Sequence, residues 1–201
     1  MVMVIDRTGR ARGVGESKAY RQIVRGPLLA VALAGVMAAF LFTSSGSATS
    51  IPAGTSVFPE TNHAHVTGHV HYNRTPPAGG PHSAVWLNCG VYNKPVANEH
   101  AVHSLEHGSV WITYQPGLGH KALRSLQHLV ETHYVSSERY VILSPYPGLP
   151  APLVASAWGA QLQLASSNDP RIVKFIRHFA GGAQGGEQGA PCTGGIGSPI
   201  G

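Results

Sequence analysis

"SVWITYQPGLGHKALRSLQHLVETHYVSSERYVILS", residues 109–144, decides the fold. "SVWITY" and "RYVILS" are short apolar runs of β-branched and aromatic residues, as buried strands require. Between them Leu118, Leu123, Leu126, Leu129 and Val130 recur at helical spacing over 118–133. Strand, helix and strand in that order make a right-handed crossover, so the two strands are expected to be parallel. Downstream, "LVASAWGAQLQL" (153–164) reads as a strand with a bulge at Gly159. It is expected to pair with 139–144 as a hairpin across "PYPGLP". Asp169-Pro170 opens a last helix to about Ala180, with Ile172, Val173, Phe175, Ile176 and Phe179 turned inward. Upstream, "HVTGHVHY" (65–72) alternates like a strand, and residues 73–98, with four prolines, form a long irregular loop. Residues 99–107 make a short helix that Gly108 stops. The fold class expected is α+β, a small mixed sheet with helices packed on one face, preceded by one N-terminal transmembrane helix.

The flanks carry their own signals. Residues 1–50 hold six basic and two acidic side chains, net +4, whereas 51–201 hold eight and seven, net +1. The basic excess belongs to the N-terminus, and the remainder lacks the basic face that nucleic-acid binding needs. Residues 1–26 read as a basic cytoplasmic segment and the uncharged run 27–43 as a transmembrane anchor. A cleaved signal sequence shares this layout, with Gly46-Ser47-Ala48 as its processing site, in which case the chain is secreted. Either way the domain faces an oxidising space outside the cytoplasmic membrane. Residues 44–60 read as a flexible stalk, 61–180 as one extracytoplasmic domain and 181–201, with nine glycines, as a disordered tail. In that compartment the chain's two cysteines, Cys89 and Cys192, are expected to pair as a disulfide rather than to ligate metal.

Eight of the twelve histidines fall between residues 63 and 107. On a helix over 99–107, His100, His103 and His107 project on one side, while Val102 and Leu105 face the other. An i, i+4 imidazole pair such as His103 and His107 can reach one ion. His82 sits in "PPAGGPH", a stiff, sharply turned segment able to hold a ring in place. The expected metal ligands are His82, His103 and His107, with His65 as the fourth and Glu106 accepting a ring N–H behind them. Imidazole ligation suits copper or zinc, while Met1, Met3 and Met37 all precede the exported part, so no thioether site for Cu(I) is present. Metal binding, sensing or delivery follows more directly than turnover. A second reading rests on "HSLEH" (103–107), which fits H-x-x-E-H, with Glu106 as the base of a zinc hydrolase. A third makes the domain a metal-free structural or interaction module of the cell envelope.

The strings "PPAGGPHSAVWLNCGVYNKPVANEHAVHSLEHGSVWITY" and "YVILSPYPGLPAPLVASAWG" resemble the bacterial family called domain of unknown function 3105. The resemblance covers about residues 63–180. Its pattern falls on His65, on Pro76, Pro77, Gly80, Pro81 and His82, on Trp86 and Tyr92, and on His103, Glu106, His107 and Gly108. It implies an N-terminal membrane segment, and in some members a cysteine after the Trp and another near the C-terminus, as Cys89 and Cys192 stand here. It implies nothing specific about activity. His63, His69, His71 and His100 lie outside the pattern.

Overall fold

The structure, a computed structural model, describes residues 50–133, 135 and 138–200. The basic segment and the expected anchor at 27–43 lie outside the described residues. Among those described, no helix is long and apolar enough to cross a membrane.

Six strands and three helices follow in the order β1 (Ser56–Val57), β2 (Gly90–Val91), α1 (Asn98–Glu106), β3 (Val110–Tyr114), α2 (His120–Thr132), β4 (Val141–Pro145), β5 (Leu153–Ala157), β6 (Ala160–Leu164) and α3 (Arg171–Phe179). They form one mixed sheet, ordered β1-β6-β5-β3-β4-β2. β3 and β4 are parallel through the α2 crossover, as the central stretch requires, and β2 adds a further parallel strand on the far edge of β4. That edge is therefore taken, and β5 pairs with β3 instead, so the expected hairpin of 139–144 with 153–164 does not form. The bulge at Gly159 is also corrected. Trp158-Gly159 is a two-residue turn, Gly159 has φ +67°, and β5 and β6 are two arms of one hairpin.

Alternation along the strands builds a core on each side of the sheet. Val110, Ile112, Tyr114, Val141 and Leu143 face α2 and α3, meeting Leu126, Val130, Ile172, Phe175 and Ile176. Trp111 and Ile142 point the other way, to Ala101, Val102 and Leu105 of α1. Helices thus cover both faces, not one. The reason is that β2 to α1 to β3 is a second connection between parallel strands, and it runs over the opposite face from α2.

Three further expectations change. "HVTGHVHY" is no strand, because Gly68 turns the chain at φ +88° and the segment's one ladder contact is a bridge between His65 and His82. Within the segment read as a stalk, Ser56 and Val57 pair with Gln161 and Ala160 as the sheet's edge. The Gly-rich tail is a strap that docks on the domain, with bonds from Gly181 N–H to Gly108 O, from Ile196 N–H to Trp86 O and from Ile200 N–H to Val91 O. Cys192 pairs with Cys89, their Cα atoms 5.3 Å apart.

Candidate metal centre

α1 differs from an ordinary surface helix in having both sides buried. Its apolar side lies on the sheet, and its His103 and Glu106 side lies under the 63–88 loop and the strap. The loop is fastened to it by Ser104 Oγ, which donates to Leu87 O (2.7 Å) and accepts from Leu87 N–H (3.0 Å). The strap comes so close that a Cβ on Gly185 would collide with the Glu106 backbone. The 63–88 loop folds back on itself through Val66 N–H to His82 O and His82 N–H to Ala64 O, which sets His65 beside His82.

Three buried rings are then fixed by backbone carbonyls. His82 Nδ1 lies 2.8 Å from Gly80 O, His103 Nδ1 2.6 Å from Ser83 O, and His107 Nδ1 2.7 Å from Pro191 O. A carbonyl can only accept, so each Nδ1 carries a proton, and in the neutral ring each Nε2 is a lone pair. Those lone pairs meet other acceptors. His82 Nε2 stands 2.8 Å from Glu106 Oε2, both atoms buried and without a hydrogen-bond partner. His103 Nε2 stands 2.9 Å from His107 Nε2. Such contacts need a cation or an extra proton between them. Burial works against the proton at His103, whose pKa it lowers below the ordinary imidazole value. The neighbouring His107, His82 and His65 push the same way, while the Ser83 carbonyl opposes.

Two groups of donors result. One is His65, His82, His103 and Glu106; the other is His103, His107 and Glu187. Within each group the ligand atoms lie within 4.8 Å of one another. Around a tetrahedral ion at 2.0–2.1 Å they would stand about 3.3 Å apart, so the widest pair need close by no more than about 1.5 Å. His65, its side chain 44% exposed, has the most room to move. Glu106 is held from behind by His63, whose Nδ1 reaches Oε1 at 2.5 Å. Trp158 stacks on His63, with ring centroids 4.5 Å apart, and Trp86 lies against His107 at 4.9 Å. Two indoles therefore wall the cluster.

The sequence reading grouped His82, His103 and His107. The structure places His82 and His103 in one donor group and His107 in the other, with His103 common to both. His65 joins His82 as a candidate ligand. Glu106, expected to stand behind the ligands, contributes a carboxylate oxygen to the group itself, because one turn of helix points it at the same space as His103. His100 is spent on Val85 O. His69 pairs with Glu99 at 2.9 Å, away from both groups. Burial alone would raise the Glu99 pKa, but the N–H of Val70, its own N–H and His69 leave it lowered, so Glu99 is a hydrogen-bonded carboxylate that fastens the loop to α1. Glu187 went unrecognised because the tail was read as disordered. The Cys89–Cys192 pairing held the clue, since Cys89 lies three residues from Trp86 and a bonded Cys192 must bring the strap to that corner.

The class of molecule is now defined: a mixed-sheet α+β domain whose crossover helix carries a buried cluster of histidines and a glutamate able to hold a metal. Residues 63–194 match the family described as "Protein of unknown function (DUF3105)", and the chain belongs to that family. The match runs past residue 180 to take in Glu187 and Cys192, so the strap is part of the family's domain. No curated protein and no solved structure matches the chain.

Proposed function

We propose that the chain binds one transition-metal ion, copper or zinc, through His65, His82, His103 and Glu106, and serves in metal binding, sensing or delivery outside the cytoplasmic membrane. The observation that carries this reading is the 2.8 Å contact of His82 Nε2 with Glu106 Oε2, two buried atoms that need a cation or a proton between them. A divalent cation between them would make two bonds, and three imidazoles with one carboxylate are a donor set that Zn(II) and Cu(II) both accept. His82, His103 and Glu106 are buried while His65 is exposed, so an ion would be held by three fixed ligands and exchanged past one mobile one. The disulfide supports an oxidising location, and the uncharged 27–43 run supports tethering to the membrane.

The placement of Glu106 favours a binding centre over hydrolysis. A general base must keep an oxygen free for water beyond the metal. Here Oε1 takes His63 and Oε2 faces His82.

Elemental analysis of the purified full-length chain tests the reading. After dialysis against metal-free buffer the wild type should keep about one equivalent of copper or zinc, and His103→Ala should lose it. A chain that is purified metal-free and takes up neither ion would overturn it.

A further inference from the structure

The second donor group remains. His103 belongs to both groups, yet its Nδ1–H is committed to the Ser83 carbonyl, so Nε2 is its one available donor. A ring nitrogen has one in-plane lone pair and serves one ion at a time. An ion among His65, His82 and Glu106 therefore takes His103 away from His107 and Glu187, and the reverse also holds. His107 is ready for the second arrangement, since its Nδ1–H is bound to Pro191 O and its Nε2 lies 3.1 Å from Glu187 Oε2 as well as 2.9 Å from His103 Nε2. Of these three side chains His103 and His107 are buried, and Glu187, 45% exposed, opens on solvent. The strap that Cys192 pins carries Glu187 and, through Pro191 O, orients the ring of His107 at the end of α1.

We propose that the strap supplies a second, mutually exclusive position, His103–His107–Glu187, so that the centre holds one divalent cation that moves between an inner and an outer set of ligands by exchange at His103. This inference rests on the metal-binding reading above. The inner position offers three nitrogens and a buried carboxylate, the outer one two nitrogens and a carboxylate on the surface. The two differ in nitrogen count, and paramagnetic Cu(II) reports that count directly.

The test loads the full-length chain with Cu(II) and compares wild type, Glu187→Gln and Glu106→Gln by stoichiometry and electron paramagnetic resonance. Each substitution keeps the side chain's shape, and a circular-dichroism melt confirms folding. The wild type should bind about one equivalent and show two species, of three and of two coordinated nitrogens. Glu187→Gln should lose the two-nitrogen species and keep the three-nitrogen one; Glu106→Gln should do the opposite. Binding of about two equivalents by the wild type would overturn exclusivity. So would a Glu187→Gln spectrum identical to that of the wild type, or a folded Glu106→Gln chain that binds nothing, because the outer position would then not exist. Copper bound with three nitrogens in the wild type and Glu187→Gln alone leaves the metal-binding reading standing and removes this one, whereas a wild type that binds no ion removes both.

Discussion

The two sides of the sheet bury their helices differently. α2 hides Leu126 and Val130, packs Leu123 and Leu129 beside them and turns its polar face outward, and α3 hides Ile172, Phe175, Ile176 and Phe179 on one stripe. α1 exposes no such face, because every residue from Ala101 to Glu106 is buried. One side is thus an ordinary two-layer core, and the other has a third layer of loop and strap laid over the helix. The lesson concerns what a polar helix face means. On α2 it means water; on α1 it means a buried cluster whose polar groups are fixed by backbone carbonyls and could hold a metal. The apolar side should owe nothing to metal, and the histidine side should depend on it.

The largest effect expected is on the apolar side. Phe175 is fully buried between α3 and the sheet, and Phe175→Ala should cost about 3–5 kcal/mol, read from urea unfolding. The loss should be the same with metal and with chelator. A difference above about 0.5 kcal/mol between the two would show that the sides are coupled and would break the comparison.

Next comes the disulfide, which closes a loop with a sequence separation of 103. Cys192→Ser should cost about 2–4 kcal/mol. It should also weaken metal retention, because Pro191 O orients His107 and sits next to Cys192. Stability lost with retention of the outer copper species intact would show that the strap's hydrogen bonds position His107 without the covalent link.

Acid should act on the histidine side through His103 and, at the end of α2, through His133, whose pKa burial and Arg177 also lower. The His103 pKa is lowered from 6.5, chiefly by burial, so between the folded value and 6.5 the unfolded chain binds more protons than the native one. Stability is therefore complete above about pH 6.5 and falls as the pH drops below it. The metal, which competes with the proton for the same Nε2, should leave over the same range. A melting temperature followed from pH 7.5 to 5 in the metal-free chain checks this, and a flat profile would mean that His103 is less deeply shielded than its surroundings indicate.

The crossover was legible in the sequence because β3 and β4 are continuous apolar runs and α2 between them carries one apolar stripe at helical spacing. His100, His103 and His107, spaced i, i+3 and i+7 along α1 and its cap, were legible from the same helical spacing. What escaped was everything set by backbone contacts distant in sequence. The bridge that puts His65 beside His82 uses two N–H to O bonds that no side-chain pattern announces. The strap has no periodicity, and its glycines are the condition for its docking, as the absence of room at Gly185 shows. Low complexity and disorder look alike in composition; here a disulfide and close packing separate them. The helices' distribution over both faces likewise turned on β2, two residues long, which is too short to be seen as a strand.

The smallest effect is the sharpest. In the metal-free chain Glu106 Oε2 and His82 Nε2 face each other as acceptors, so Glu106→Gln should place an amide N–H there and make the missing hydrogen bond, while its carbonyl still accepts from His63. Repairing a buried unsatisfied pair is worth about 1 kcal/mol, so the variant should melt higher than the metal-free wild type. With copper or zinc added the order should reverse, since the wild type gains the binding free energy and the variant has lost its buried charged ligand. Melting curves of both chains with chelator and with metal decide the matter. A variant that melts lower under both conditions would mean that a proton already sits between the two groups, and that the histidine side, like the apolar one, is complete without an ion.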